Sequence, residues 1–148
     1  MQRLIEYASE IGVTYEFVKD LSPVHPGRYS DSKRHIEVLD GMTNVKTVCA
    51  FAHELGHATM RHTSSIFSYI NARQERAADE WAAHFLIDVD EYRHAEAKYG
   101  TRTDWIGQEL GVLDRLVVAF ERSLHRIGDT IYVNPKMGSG QCNARYSA

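Results

Sequence analysis

The sequence has few of the residues that mark disulfide-rich, disordered or membrane-spanning chains. Its two cysteines, Cys49 and Cys142, stand in dissimilar contexts without a C-x-x-C pair, which argues against a disulfide framework and a thiolate zinc site. With only 3 Pro and 10 Gly among 148 residues, the composition is typical of a folded globular domain. The chain has no apolar run of about 18 residues, and its amino terminus is amphipathic, unlike a signal peptide. We therefore expect a cytoplasmic protein without a membrane partner.

The chain also lacks an excess of charge of one sign. It has 17 Lys and Arg against 20 Asp and Glu, a formal net charge of −3, so direct binding to nucleic acid is not expected. Residues 105–127 faintly resemble a helix-turn-helix, but the charges of 102–127 cancel. We therefore favour helical packing over DNA readout for this segment.

The length and the hydrophobic period predict one α+β domain over residues 1–133. A strand that begins at Val13 and a hairpin over 27–40 predict a small antiparallel sheet of about three strands, packed on a helical bundle. Residues 134–148 contain Gly138-Ser139-Gly140 and little apolar content, so we expect a flexible tail. Helices are predicted over 2–11, 44–61, 72–87, 88–99, 103–110 and 114–127, with a loop at 63–71 in which Asn71 is the candidate cap of the following helix.

The predicted helix 44–61 contains His53-Glu54-Leu55-Gly56-His57, an H-E-x-x-H motif. At about 3.6 residues per turn, the two histidines lie one turn apart on one face, where both imidazoles can bind one zinc ion. Glu54 is displaced sideways and can take the proton of a water molecule that attacks a carbonyl carbon. We predict His53 and His57 as metal ligands and Glu54 as the catalytic carboxylate. The alternative is two solvent-facing histidines on an ordinary amphipathic helix.

Glu75 is the candidate third ligand. It lies with Asp79 on the stripe of the helix 72–87 that also carries Ala78, and buried carboxylates need a partner. If the two helices pair in antiparallel orientation, His57 and Glu75 lie at the same height. Asp79, one turn further, can then accept a hydrogen bond from one of the ligand histidines, for which we expect His57. The alternative places both carboxylates on a solvated charged face.

These residues resemble a known family. The H-E-x-x-H motif, followed by Glu75-x-x-Ala78-Asp79-x-Trp81-Ala82-Ala83-x-x-Leu86, is similar to the ImmA/IrrE group of zinc metallopeptidases, which is related to the gluzincins. The resemblance covers roughly residues 1–100. It departs from the family at Ala77, where a second Glu is frequent, and at Trp81, which replaces a usual Phe.

The resemblance implies a zincin-like fold and a specific set of roles. His53, His57 and Glu75 carry over as the metal ligands and Glu54 as the catalytic carboxylate. It also implies a bacterial, phage or mobile-element protein whose substrate is a helix-turn-helix transcriptional repressor. Zn²⁺ is the expected metal, although a His/Glu site also accepts Mn²⁺ or Fe²⁺.

Peptide cleavage needs further groups to stabilise the oxyanion and to hold the substrate. Tyr69, His62 and His84 are the candidate oxyanion stabilisers, and the sequence does not rank them. The predicted strand 34–39 precedes the motif helix, and if it is a sheet edge, an extended substrate can add to it as a further strand. The alternative is an ordinary core strand.

The leading hypothesis is a zinc-dependent endopeptidase that acts on a protein substrate, namely the repressor. The alternative is a zinc-containing protein that binds and sequesters the repressor without cutting it. The presence of Glu54 favours the enzyme, since a pure binder does not need this carboxylate. The sequence indicates no particular oligomeric state.

Overall fold

The computed structural model describes residues 1–127, 130–133 and 145–147, and the side chains of residues 1–124. The α+β class is confirmed by six helices and a small mixed sheet in this part of the chain. The helices are α1 (Gln2–Glu10), α2 (Asn44–Thr59), α3 (Ser68–Leu86), α4 (Val89–Tyr99), α5 (Thr103–Leu110) and α6 (Asp114–Ser123). The strands are β1 (Thr14–Val18), β2 (Gly27–Ser30), β3 (His35–Leu39), β4 (Leu124–Ile127), β5 (Thr130–Val133) and β6 (Arg145–Ser147).

The first sheet has the order β1-β3-β2. The predicted hairpin of β2 and β3 is antiparallel, but β1 pairs with β3 in parallel, so the expectation of a purely antiparallel sheet is wrong. The cause is the connection over 19–26, which crosses the carboxyl end of β3, so that β2 pairs with the side of β3 opposite to β1. Two hydrogen bonds fix this crossing, from the Leu39 amide to the Pro26 carbonyl and from the Asp40 amide to the Val18 carbonyl, both at 2.8 Å.

This order makes β3 the central strand. Its backbone pairs on both sides, so the hypothesis that residues 34–39 form a free edge for a substrate is wrong, and β2 is an edge strand instead. Ile36 and Val38 of β3 are fully buried on one face, and α2 packs against this face. The sheet therefore serves as the platform on which the motif helix rests.

Helix α2 forms the centre of the core. Thr43 caps its amino terminus, where the hydroxyl accepts a hydrogen bond from the Lys46 amide at 3.4 Å. Phe51 and Leu55 have no exposed surface, and the Phe51 ring lies 4.9 Å from that of Tyr15. This burial on several sides holds the helix in one orientation.

Two helix boundaries differ from the predictions by four residues, one because a side chain bonds elsewhere and one because a strand replaces the last helical turn. Helix α3 begins at Ser68 rather than 72, since Asn71 does not cap it: its side chain bonds the backbone amide and carbonyl of Ser65 at 2.9 and 2.8 Å. Helix α6 ends at Ser123 rather than 127, because Leu124–Ile127 pairs with β5 as a strand.

The carboxyl-terminal part forms a second sheet of order β4-β5-β6. Of the predicted tail, 134–148, only Arg145–Ser147 is described, as strand β6 paired with β5, and the other residues lie outside the described part of the chain. Among the helices that the structure describes, none combines the length and the apolar character needed to cross a membrane.

Candidate metal centre

The site is built where α2 and α3 pack closely. A Cβ atom on Gly56 would lie 2.9 Å from the carbonyl oxygen of Ala78 and 3.0 Å from its Cα. The helices therefore touch backbone to backbone, and Ala78 and Ala82 have no exposed surface. Side chains one turn away on either helix can meet across this contact.

The motif histidines and Glu75 converge at this contact. His53 Nε2 lies 3.0 Å from His57 Nε2 and 3.2 Å from Glu75 Oε2, and His57 Nε2 lies 3.4 Å from Glu75 Oε1. Three ligands of a tetrahedral zinc ion, at bonds of about 2.0–2.1 Å, are separated from each other by about 3.3–3.4 Å. Two imidazole nitrogens and a carboxylate at these separations fit the donor set of a catalytic zinc ion.

The three candidate ligands differ in exposure. The side chains of His53 and His57 are 9% and 12% exposed, whereas that of Glu75 is 61% exposed. Hydrogen bonds to the two histidines hold the pKa of the Glu75 carboxyl far below its ordinary value, so Glu75 is ionised. The ligand set opens into a cleft of about 640 Å³, which provides room for a substrate beside the donor atoms.

Asp79 bonds a ligand histidine, but not the one expected from the sequence. Its Oδ1 accepts a hydrogen bond from Nδ1 of His53 at 2.8 Å, so the expectation of His57 as its partner is wrong. Because α3 runs antiparallel to α2, one turn forward from Glu75 is one turn back along α2, which leads from His57 to His53. The carboxylate leaves Nε2 of His53 directed at the other donors.

His57 has a different partner for its second ring nitrogen. Its Nδ1 lies 3.0 Å from Nδ1 of His62, just beyond the end of α2. Burial and the neighbouring His57 lower the pKa of His62, which favours a neutral ring that can accept this hydrogen bond. His62 therefore orients His57 and also lines the cleft.

The pKa of His53 is determined by its burial and by its hydrogen-bond partners. Burial lowers the pKa of its imidazole, but hydrogen bonds to Asp79 and Glu75 outweigh burial and raise the pKa to about 9. In the absence of a cation, the imidazole of His53 is therefore protonated at neutral pH, with Nδ1 beside Asp79 and Nε2 beside Glu75. A divalent cation bound by the same atoms has to displace this proton.

Glu54 is held beside the ligand set by the sheet. Its side chain is buried, and a Cβ atom on Gly27 of β2 would lie 2.6 Å from its Cγ and 2.8 Å from its Cδ. The edge strand therefore lies directly over the carboxyl group. Burial raises the pKa of Glu54, which moves it towards the range of a general base that also returns its proton.

The three candidate oxyanion stabilisers occupy different places. His62 lines the cleft, whereas the Tyr69 side chain is 69% exposed and lies against the Phe67 ring at 5.8 Å. His84 bonds the Ser123 hydroxyl at 2.5 Å and packs on the Phe120 ring. Within the described part of the chain, Tyr69 and His84 are not among the residues that line the cleft.

Two residues at the site were missed by the sequence analysis. Gly27 gives Glu54 its space, and Arg115 at the start of α6 donates to Asp79 Oδ1 at 2.5 Å and lines the cleft. Neither residue belongs to a motif. Gly27 lies in the hairpin that precedes the motif helix, and Arg115 lies 36 residues after Asp79. Only the fold brings them to the site.

Comparisons with known proteins found a family match and a similar solved structure. Residues 25–126 match the family model Peptidase_M78, described as the IrrE N-terminal-like domain. None of the curated proteins matches the sequence. The solved structure of a Mycobacterium tuberculosis transcriptional regulator is similar with a TM-score of 0.58 and 16% sequence identity, over 86% of this chain. At this identity the likeness shows the fold alone, and the chain spans 43% of the length of that protein.

Proposed function

The chain belongs to the family of IrrE N-terminal-like domains, a zinc metallopeptidase type, and on this premise we propose that it is a zinc-dependent endopeptidase that cleaves a protein substrate. One observation carries the proposal: His53, His57 and Glu75 present three donor atoms within 4.8 Å of one another. Beside them lies the buried carboxyl group of Glu54. This set can combine cation binding with proton transfer in one cleft.

His53, His57 and Glu75 would hold the cation, and the two imidazoles are oriented for this by Asp79 and His62. A zinc ion bound there supplies Lewis acidity, which polarises the scissile carbonyl group and makes water more acidic. Two neutral ligands and one carboxylate preserve this acidity. The same donor types also suit Mn²⁺ and Fe²⁺.

Glu54 moves the proton. In its ionised form the carboxylate takes a proton from the attacking water molecule, and it then passes this proton to the amine of the leaving peptide. Its raised pKa makes the carboxylate a stronger base towards the water molecule in the first step, and the carboxyl group formed there is still acidic enough to protonate the leaving amine.

We further propose that the substrate binds in extended form along β2. Its backbone is paired only with β3 in the described sheet, and Gly27 of this strand lies directly against Glu54. A peptide added to the edge would form backbone hydrogen bonds with β2 and pass its carbonyl groups over the ligand set. This role replaces the one considered for β3.

The proposed substrate is a helix-turn-helix transcriptional repressor of a phage or mobile element, and the proposed place of action is the cytoplasm. The support is the resemblance of the motif residues to the ImmA/IrrE group and the family match. The similar solved structure belongs to a protein named as a transcriptional regulator, which is compatible with a role in gene regulation.

The decisive experiment is a comparison of Glu54→Gln with the wild-type chain, each incubated with a helix-turn-helix repressor as the candidate substrate. We expect Glu54→Gln to bind zinc as the wild type does, measured by metal analysis, and to produce no repressor fragments. His57→Ala should lose zinc and unfold at a lower temperature, because it removes a ligand. Cleavage by Glu54→Gln would remove Glu54 from the mechanism, and an intact stoichiometric complex with the wild type would favour sequestration.

A further inference from the structure

The cleft extends from the ligand set along α2 towards the amino terminus of this helix. The end of the cleft beyond His53 is lined by Met42, Lys46, Ala50, Leu113 and Arg115, which we call the cationic end. Lys46 precedes His53 by seven residues, or two helical turns, so both side chains lie on the same face of α2. The cationic end is therefore continuous with the site of the proposed reaction.

The amino terminus of α6 forms the opposite wall of this end. The Leu113 amide donates to Cys49 Sγ at 3.4 Å, which fixes the start of α6 against α2 beside Ala50. Arg115 follows and donates to Asp79, and its side chain is 43% exposed. Two cationic groups, on α2 and on α6, thus line one end of one cleft.

The cations of the cleft differ in how far their charge is compensated. Arg28 pairs with Glu37, and Arg115 pairs with Asp79. Lys46 is exposed and makes no ion pair with any residue that the structure describes. An ammonium group without a partner beside a substrate cleft is available to a carboxylate of the substrate.

The floor between these cations is small and apolar. Ala50 is 3% exposed, and Leu113 and Met42 line the same cleft. A short apolar floor accommodates the methylene groups of an acidic side chain while its carboxylate reaches the cations. The apolar floor and the cations of the cationic end therefore both favour an acidic side chain as the ligand.

We propose that the cationic end is a subsite that binds a carboxylate of the substrate, with Lys46 and Arg115 as its specificity-determining residues. The inference rests on the proposed peptidase function, and it defines the substrate class as peptides with an acidic group near the scissile bond. Two helical turns span about 10 Å, and an extended peptide rises about 3.3 Å per residue. The acidic group is therefore expected about three residues from the scissile bond.

The test uses quenched fluorescent decapeptides in which one position at a time is either Glu or Gln. The zinc-loaded wild-type chain should cleave the Glu peptide about five- to tenfold faster, in kcat/KM, at one position about three residues from the cleaved bond. Lys46→Glu should abolish or reverse this ratio, and Lys46→Gln should bring it close to one. The matched control is Lys19→Glu, which changes the net charge equally at an exposed residue that follows β1 and should retain the ratio.

Two further measurements identify the source of the carboxylate and distinguish failure of the subsite proposal from failure of the peptidase proposal. Peptides with a free or an amidated carboxyl terminus show whether the carboxylate belongs to a side chain or to the chain end. Binding of the labelled Glu and Gln peptides to Glu54→Gln is measured by fluorescence anisotropy. A Glu preference in binding without cleavage by the wild type would overturn the peptidase proposal and leave the subsite. Equal cleavage of Glu and Gln peptides at every position, or a preference that Lys46→Glu retains, would overturn the subsite alone.

Discussion

At the scale of single residues, the candidate site depends on the missing side chain of a glycine as much as on the side chains that carry functional groups. Gly27 lies against Glu54, so that the backbone of β2 crosses the carboxyl group at a distance that no other residue type permits. The burial that raises the pKa of Glu54 comes in part from this crossing. One glycine therefore sets both the position and the acidity of the proposed general base.

Gly27→Ala tests this dependence. The added Cβ would lie 2.6 Å from Glu54 Cγ, so the carboxyl group has to move, and we expect cleavage to fall by about 100-fold because small displacements of a catalytic group are costly. Zinc binding should be unchanged, since none of the three candidate ligands is touched. Repressor fragments on gels and metal analysis provide the two measurements.

The control for this change is Gly12→Ala. Gly12 has a φ of +66°, and no atom of the residues that the structure describes lies within 4 Å of its added Cβ, so the variant carries backbone strain without a contact at the site. It should lose about 1 kcal/mol of stability and retain full cleavage. Equal loss of cleavage in both variants would show that strain, and not displacement of Glu54, is responsible.

Asp79 illustrates what the sequence contributes at this scale. The stripe pattern predicts that its carboxylate faces the histidine helix, and in the structure Asp79 Oδ1 lies 2.8 Å from Nδ1 of His53. The stripe pattern does not specify which histidine Asp79 bonds, because that choice depends on the antiparallel packing of α3 on α2, which places Asp79 beside His53. The chemistry of a residue is local information, whereas its partner is set by packing.

At the scale of elements, the pairing of α2 with α3 creates the ligand set. Each helix carries part of the set, and neither can bind a catalytic zinc ion alone. The contact of Gly56 with the Ala78 backbone determines the distance between the two helices, and hence the 3.2 and 3.4 Å separations from the Glu75 oxygens to the imidazole nitrogens.

Gly56→Ala should therefore weaken metal binding through the helices. Its Cβ would lie 2.9 Å from a backbone oxygen that cannot move alone, so α3 has to shift, and we expect a loss of about 1–3 kcal/mol in unfolding free energy. Zinc affinity, measured by competition with a chelating dye, should fall at least about tenfold as Glu75 moves away.

Gly107→Ala provides the matched comparison. Its Cβ would also lie 2.9 Å from a backbone oxygen, that of Val112, but in α5 and away from the ligand set. A similar loss of stability with unchanged zinc affinity is expected. If both variants lose affinity alike, general destabilisation explains the effect and the specific role of the α2–α3 contact is wrong.

At the scale of the whole molecule, four elements meet around one cleft: α2, α3, β2 and the amino terminus of α6. Arg34 ties the first part of this assembly together. From the β2–β3 turn it donates to the Ala58 carbonyl at the end of α2 at 2.8 Å and to the Ile11 carbonyl after α1 at 2.7 Å. Metal binding adds to this framework, because the ligands come from separate helices.

The metal-free protein should lose stability as the pH rises. The pKa of His53 is about 9 in the fold against an ordinary 6.5, so its protonated form stabilises the fold fully below pH 6.5, and this contribution is lost as the pH rises through 9. The difference is at most about 3 kcal/mol. Unfolding by urea in the presence of a chelator, at several pH values between 6.5 and 9, measures it.

Zinc should remove this loss of stability, since deprotonation of His53 favours binding of the cation. With saturating zinc we expect no decline over the same range. The pKa values of His62 and His84 are lowered mainly by burial, so these residues add stability as the pH rises towards and just above 6.5, opposite in sign to the effect of His53 and mostly below this range. A metal-free protein whose unfolding free energy is constant or rises from pH 6.5 to 9 would contradict the proton-bridged arrangement.

The sequence by itself determined the α+β class, the motif helix and the chemical types of the candidate ligands. These depend on local period and spacing, since residues one turn apart meet whatever surrounds the helix. Tertiary structure alone decided that β1 pairs in parallel with β3, that Asp79 bonds His53, and that Gly27 and Arg115 reach the site. The physical reason is that these contacts join segments far apart in the chain, and their partners are selected by the packing of the whole core and not by any local preference of the backbone.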